Sequence, residues 1–254
     1  MLKPRIIPCL LIDNDELVKT KNFKNPKYIG DPINAVKIFN EKKADELIVL
    51  DISATFQNKE PNYELIKKLV KVSRMPLCYG GGIRKIDQVN KIIEFGVEKI
   101  SLNSAACENP SLLANISKEI GSQSLVVTQD IMYLKNINDH IVFNQNGLSN
   151  SNQKIIDKIK FFEDLGVGEL VINSIDCDGM MQGYDEKIID KIMKISNIPV
   201  TFVGGAGNLE HLKQVIFKNR FIGLAAGSLF VYKGKFNAVL INYPSEEDRM
   251  KIYT

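Results

Sequence analysis

ADELIVLDIS at Ala44–Ser53 and VGELVINSID at Val167–Asp176 read as one motif used twice. In each, a glutamate precedes a short apolar run that ends in small or polar residues. A second pair, MPLCYGGGIRKIDQV at Met75–Val89 and IPVTFVGGAGNLEHL at Ile198–Leu212, repeats in step with the first. Glu46 to Glu169 is 123 positions, and Gly81 to Gly204 is also 123. One offset shared by two separate segments predicts two half-units of similar build. Short apolar runs continue on either side: RIIPCL, ELIVLDI, MPLCYG, KISLN, SLVVTQD, ELVINSI, IPVTFVG and IGLAAG. Amphipathic segments such as PINAVKIFNEKKA, NYELIKKLVKVS, KIDQVNKIIEFG and NLEHLKQVIFK separate them. Asp31-Pro32 and Asn109-Pro110 each supply an N-cap followed by proline at the first helical position. Eight strand–helix alternations predict an α/β fold, a single (β/α)8 TIM barrel over residues 1–254 with a two-fold half-barrel repeat. A doubly wound open sheet would carry G-x-G-x-x-G after an early strand, and none is present. The text IDNDELVKT reads as the loop leaving strand one. A hairpin insertion is expected at about 131–147, after strand five, and a polar appended tail at about 242–254.

A net charge of +3 is too small to argue for nucleic acid or a membrane surface. No apolar run approaches the roughly 20 residues of a membrane span, and no signal peptide is evident. Cys9, Cys78, Cys107 and Cys177 form no C-x-x-C pair. They are expected to be reduced thiols of a cytoplasmic protein, with no metal and no cofactor.

In a barrel of this kind the C-terminal ends of the strands form the functional mouth. GGGI at Gly80–Ile83 follows strand three, and GGAG at Gly204–Gly207 follows strand seven. Glycines there let backbone N–H groups approach an anion. Asn103 and Ser104 follow strand four, and Gly227 and Ser228 follow strand eight. One such turn is as well read as a tight turn; two related by the repeat favour phosphate, so a ligand phosphorylated at both ends is expected to fit. Asp51, Asp130, Asp176 and Asp178 end strands, where a carboxylate can serve as acid or base. Lys19, in the first loop, is placed to clamp an anion, although spacing alone suits a solvated lysine equally. His140 and His211 receive no role. At the opposite end, Arg5, Glu46, Lys99 and Glu169 start strands one, two, four and six. Spacing alone favours a structural plug of paired charges there; the functional reading is a gate.

The segments RIIPCL, GDPINA, DELIVLDI, GGGI, EKISLNSAA, GSQSLVV, GELVINSID-x-DG, GYD and GGAGNLEH resemble the HisF family, the cyclase subunit of imidazole glycerol phosphate synthase. The resemblance runs from about Leu2 to Phe230. It implies a barrel that pairs with a HisH-like glutaminase subunit as a heterodimer. Ammonia from that partner would pass through the barrel to a doubly phosphorylated nucleotide at the mouth. It further implies an ammonia gate of Arg5, Glu46, Lys99 and Glu169. Gly81, Gly82, Asn103 and Ser104 match one of the family's phosphate sites. Gly204, Gly205, Asp178-Gly179, Gly227 and Ser228 match the other. Lys19 and Asp51 complete the implied ligand clamp.

The departures concern catalysis. The family's two catalytic aspartates end strands one and five; the second matches Asp130, and the first falls on Leu11. A positioned acid–base group contributes about 10²–10⁴-fold, so cyclase chemistry is expected to be crippled. The family's DAKR is here Asp130-Ile131-Met132-Tyr133, its strand-six threonine is Asn173, and its serine before GGAG is Val203. LLIDNDELVKT, FKNPKYIGDPINAVKIFNEK, MPLCYGGGI, AAGSLFVYKG and VLINYPS are similar to the HisF paralogues linked to glycosyl amidation, the WbuZ type. That resemblance implies a barrel that delivers ammonia to a sugar amidotransferase in surface-polysaccharide (lipopolysaccharide) synthesis, with Glu98 and Lys99 at the glutaminase contact. The alternatives are a working cyclase of histidine biosynthesis and a non-catalytic barrel that binds a phosphorylated small molecule or partner.

Overall fold

The structure, a computed structural model, describes residues 3–219 and 221–253. Met1, Leu2 and Thr254, at the ends of the expected 1–254 and 242–254 spans, lie outside the described residues. Eight parallel strands close on themselves: β1 (Arg5–Asp13), β2 (Leu47–Asp51), β3 (Leu77–Gly80), β4 (Lys99–Leu102), β5 (Leu125–Leu134), β6 (Glu169–Ser174), β7 (Val200–Val203) and β8 (Gly223–Ala226). Each pairs with the next, and β8 returns to β1 through Arg5–Gly223 to Pro8–Ala226. Every strand run read from the sequence is a barrel strand, so the (β/α)8 expectation holds.

Eight principal helices follow in order: α1 (Pro32–Glu41), α2 (Tyr63–Val72), α3 (Ile86–Glu94), α4 (Pro110–Ile120), α5 (Ile155–Asp164), α6 (Glu186–Met193), α7 (Leu209–Lys218) and α8 (Glu246–Tyr253). Their apolar residues recur at helical spacing, as Leu65, Ile66 and Leu69 do on α2, and bury one stripe against the sheet. The Asp31 carboxylate caps α1 by accepting from Asn34 N at 2.7 Å, with Pro32 at the first position. Pro110 likewise opens α4, but Asn109 makes no side-chain cap; its amide oxygen accepts from Ser111 Oγ instead.

Alternation along each strand builds two cores. On β1, Ile6, Leu10 and Ile12 face the helices and join the large outer core. Arg5, Ile7, Cys9 and Leu11 occupy the alternate positions, and Ile7 and Cys9 join an inner cluster on the axis.

Three sequence expectations need correction. IDNDELVKT is not a loop. Asn14 and Asp15, both at positive φ, turn β1 into an antiparallel strand at Glu16–Lys21, and Asn22-Phe23 turns that into another at Lys24–Gly30. Two-residue turns with both φ positive match the twist of a hairpin. The insertion after β5 is longer than 131–147: β5 itself runs to Leu134, and strands Asp139–Asn144 and Ser149–Lys154 follow. Both half-barrels therefore carry a strand extension with a two-stranded ribbon after their first strand. The tail is not a free appendage. Tyr243 and Ile252 are buried, and the Tyr243 hydroxyl donates to Ile6 O at 2.7 Å. That hydroxyl accepts from Asp45 N at 3.2 Å, while Arg249 bonds Asp45 and the carbonyl of Lys43. The tail is thereby clasped to the start of β1 and to the turn before β2.

Tyr243→Phe would leave Ile6 O and Asp45 N without their shared partner. The expected loss is about 1–3 kcal/mol, the cost of unmet buried polar groups. Urea unfolding of the two proteins measures it, and an unchanged midpoint would show the clasp to be ornamental.

Candidate functional site

The strand starts bring four charges together across the bottom of the barrel. Arg5 reaches Glu46 at 2.6 Å and Glu169 at 2.7 Å; Lys99 reaches Glu46 at 2.7 Å and Glu169 at 2.8 Å. Each cation bridges both carboxylates, so the contacts form a closed, neutral ring. Thr201 Oγ1 adds a donor to Glu169 at 2.6 Å. Burial opposes the charges on Arg5 and Lys99, but the two glutamates outweigh it and raise both pKa values. Burial likewise opposes the charge on Glu169, and Arg5 and Lys99 overcome it. Glycine at 223 is required by the packing: a Cβ there would meet Thr201 Oγ1 at 2.0 Å and the Arg5 guanidinium at 3.2 Å.

Above the ring, Ile7, Ile48, Cys78, Val126, Val171 and Ala225 line the axis, with Leu11 and Leu50 packed at the top. The Ser101 and Thr128 hydroxyls, 2.6 Å apart, satisfy each other within this column. Burial pushes the Cys9 thiol up to about 12, so it is a neutral group and no nucleophile.

The column opens into a mouth cavity enclosing about 1190 Å³, open solvent included. Gly81 and Gly204, related by the repeat, both hold positive φ, at 123° and 100°. A Cβ at Gly81 would stand 2.4 Å from Asp51 O, and one at Gly204 would stand 2.8 Å from Ser174 O. Both turns thus press their backbone against the neighbouring strand. Gly82, Asn103 and Ser104 line one side of the cavity; Gly179, Gly205, Gly227 and Ser228 line the other.

Three carboxylates face this space, and their environments separate them. One oxygen of Asp51 accepts from Ser53 N, Ser53 Oγ and Ala54 N, capping the short helix Ile52–Phe56. Its pKa is still raised, because burial outweighs those bonds. Asp178 is paired with Lys19 at 2.6 Å and accepts from Thr20 Oγ1 at 2.6 Å and Phe23 N at 3.2 Å. Lys19, expected as an anion clamp, is therefore neutralised in a buried pair, its stem passing close over Gly227. Asp130 has no cationic partner within ion-pair distance among the described residues. Its carboxylate accepts from Asn103 Nδ2 at 2.7 Å and Asn173 Nδ2 at 3.1 Å. Burial outweighs both bonds and lifts its pKa to about 7. Asp130 is thus the mouth carboxylate poised to hold or release a proton near neutrality.

Leu11 lines the cavity on β1, paired with Leu50 of β2 and Val18 of the first ribbon. The remaining residues singled out by sequence lie elsewhere. Asp176 accepts from Tyr133 N at 2.7 Å. His140 pairs with Asp185 at 2.8 Å behind the second ribbon, and His211 packs at the start of α7 against Gly207 and Asn208. Glu98 caps the start of β3 by accepting from Leu77 N at 2.7 Å. Thr20 and Phe23, which also line the mouth, lie on a ribbon read as loop; Asn146, inside the expected hairpin, lines it too with no local signal to mark it. The Asn14-Asp15 dipeptide between apolar runs was the available signal for the first ribbon.

A family model described as "Histidine biosynthesis protein" matches residues 5–237. A Leptospira borgpetersenii protein named "Putative imidazole glycerol phosphate synthase subunit HisF" is 52% identical over the full length of both chains. A Pseudomonas aeruginosa protein of the same naming, designated hisF2, is 46% identical over 96% of this chain and 97% of its own. The imidazole glycerol phosphate synthase subunit HisF of a Hydrogenobaculum strain is 39% identical over 92% of each chain.

Because burial raises the folded-state pKa of Asp130 above its ordinary value, its contribution to stability is whole below about pH 4 and falls as pH rises through about 7. Unfolding free energies of wild type and Asp130→Asn across that range should diverge by up to about 4 kcal/mol, against the wild type. A difference constant with pH would mean an ordinary carboxylate.

Proposed function

This chain belongs to the histidine biosynthesis protein family, and on that premise we propose that it is a HisF-like barrel that receives ammonia from a HisH-like glutaminase and delivers it for sugar amidation. The observation that carries the reading is the contrast between the two ends of the barrel. At the bottom the four-charge ring is complete. At the mouth, the position expected to hold a second catalytic carboxylate is Leu11. Of the carboxylates that do line the mouth, Asp51 caps a helix and Asp178 is bound to Lys19. Acid–base cyclisation would have Asp130 alone. Delivery of a small neutral nucleophile asks less: a closed entrance, an apolar passage and an exit.

The residues perform those tasks as follows. The glutaminase docks on the face formed by the strand starts, beside Glu98 and Lys99. Docking draws Lys99, at the start of β4, out of its contacts with Glu46 and Glu169. Neutral ammonia then crosses the apolar column, where charged ammonium would suffer a large desolvation penalty. It emerges beside Leu11, and a separate amidotransferase uses it to convert an N-acetyl group of a sugar to an acetamidino group, for bacterial surface polysaccharide. This assignment places the protein in the cytoplasm. Among the described residues, no helix is long and apolar enough to cross a membrane.

A working histidine-pathway cyclase is the second reading. It is favoured by the paired glycine turns around the mouth and by Asp130 held near neutrality.

Purified barrel mixed with a HisH-like glutaminase should raise glutamine hydrolysis, and Lys99→Ala should change the rate at which ammonia reaches the mouth. Without any stimulation the delivery reading fails. Ammonia-dependent turnover of the bisphosphorylated aminoimidazole precursor separates the two readings. It is expected to be absent in the native protein, with any gain in Leu11→Asp locating the lost chemistry. Turnover by the native protein would establish the cyclase.

A further inference from the structure

The mouth holds an unusual surplus of acceptors. Asn103 and Asn173 each direct an amide N–H to a different oxygen of the Asp130 carboxylate. With Asp130 ionised that fixes both amides, because reversing either would set its oxygen against a carboxylate oxygen. The amide oxygens that remain, Asn103 Oδ1 and Asn173 Oδ1, are buried and have no hydrogen-bond partner among the described residues. Asn173 is 8% exposed and Asp130 is 4% exposed, and both line the mouth cavity with Asn103. A buried acceptor without a donor costs about 1–3 kcal/mol. Two such acceptors beside one buried carboxylate therefore form a cluster that lacks both donors and positive charge. Lys19, the one cation lining the cavity among the described residues, is held by Asp178.

We propose that Asp130, Asn103 and Asn173 form a binding site for an ammonium ion at the exit of the barrel axis, an assignment that rests on the ammonia-delivery reading. Ammonium suits the cluster by chemistry. It carries four tetrahedral N–H donors and one positive charge in the volume of a water molecule. Guanidinium and amidinium ions are planar and larger, and alkali ions bring no N–H donor. The approach also fits. Ammonia crosses the apolar column as the neutral molecule and meets the protonated fraction of Asp130 at its end. The Asp130 O–H bond breaks and a fourth N–H bond forms, leaving a carboxylate–ammonium pair with the two amide oxygens accepting from it. Return of that proton to Asp130 regenerates neutral, nucleophilic ammonia for the acceptor. The site is a holding station that keeps ammonia from escaping into solvent between delivery and use. Asn173 is central, since a threonine there, the family's residue by resemblance, supplies no amide oxygen.

The test uses the ¹⁵N-labelled full chain without any glutaminase. The side-chain amide resonances of Asn103 and Asn173 are followed while ammonium chloride replaces sodium chloride at constant ionic strength, with potassium chloride as a second arm. Saturable shifts with ammonium alone are expected. Asp130→Asn should abolish them, and Asn173→Leu should weaken binding by roughly tenfold or more; the backbone amide spectrum reports whether each variant is folded. Shifts that fail to saturate, or that all three salts share, overturn the site, and an equal response to potassium shows a general cation site in place of an ammonium site. The delivery reading stands or falls separately. A barrel that binds ammonium but never stimulates a glutaminase would refute delivery alone, and stimulation without saturable binding would refute the holding site alone.

Discussion

In a closed parallel barrel, every second side chain of every strand must go to the axis, and the axis has room for only a few layers. That steric constraint organises the molecule. On β1 it sends Arg5, Ile7, Cys9 and Leu11 inward in succession, so one strand runs from the charged bottom through the apolar middle to the mouth. The same rule stacks Glu169, Val171 and Asn173 on β6, and Val126, Thr128 and Asp130 on β5. Charged residues appear at the two ends and mostly apolar ones between, where the Ser101 and Thr128 hydroxyls satisfy each other, because burial penalises charge without partners or water.

Charge is handled differently at the two ends. At the bottom, two cations and two carboxylates share four contacts of 2.6–2.8 Å, so desolvation is offset by mutual pairing in a ring of zero net charge. Such a ring is stable only while complete, since removing one member strands a buried charge. At the mouth the carboxylates are separated by function. Asp51 serves a helix cap and Asp178 serves Lys19, whereas Asp130 receives only neutral amide donors. Burial therefore dominates its protonation, and a group that would be fully ionised in water is balanced near pH 7.

The half-barrel repeat survives more faithfully in the backbone than in the chemistry. Glu46 and Glu169, the glycine turns at Gly81 and Gly204, and the ribbons after β1 and β5 all recur. The inward residues at the mouth do not: β1 offers Leu11 where β5 offers Asp130. Backbone geometry can be kept for folding alone. A carboxylate at a buried position is costly to hold, and a leucine at the same position carries no such cost.

Much of this was legible in the sequence. The common 123-residue offset and the strand–helix alternation determined the barrel, because hydrophobic periodicity is a local property that burial on one face imposes. The same alternation put Arg5, Glu46, Lys99 and Glu169 at strand starts and the glycine turns at strand ends. Other features depended on contacts between residues distant in the chain. Nothing local distinguishes Lys19 as a clamp from Lys19 as the partner of Asp178, 159 positions away. The tail reads as polar, yet Tyr243 is buried because its hydroxyl finds Ile6 O across 237 positions. The protonation of Asp130 is likewise set by its burial in the assembled mouth, which outweighs the bonds from Asn103 just after β4 and Asn173 on β6. The sequence by itself determined which residues reach the axis, since alternation is written along each strand. Which of them are paired, and which is left poised, only the tertiary structure decided, because pairing is a matter of distance across the barrel.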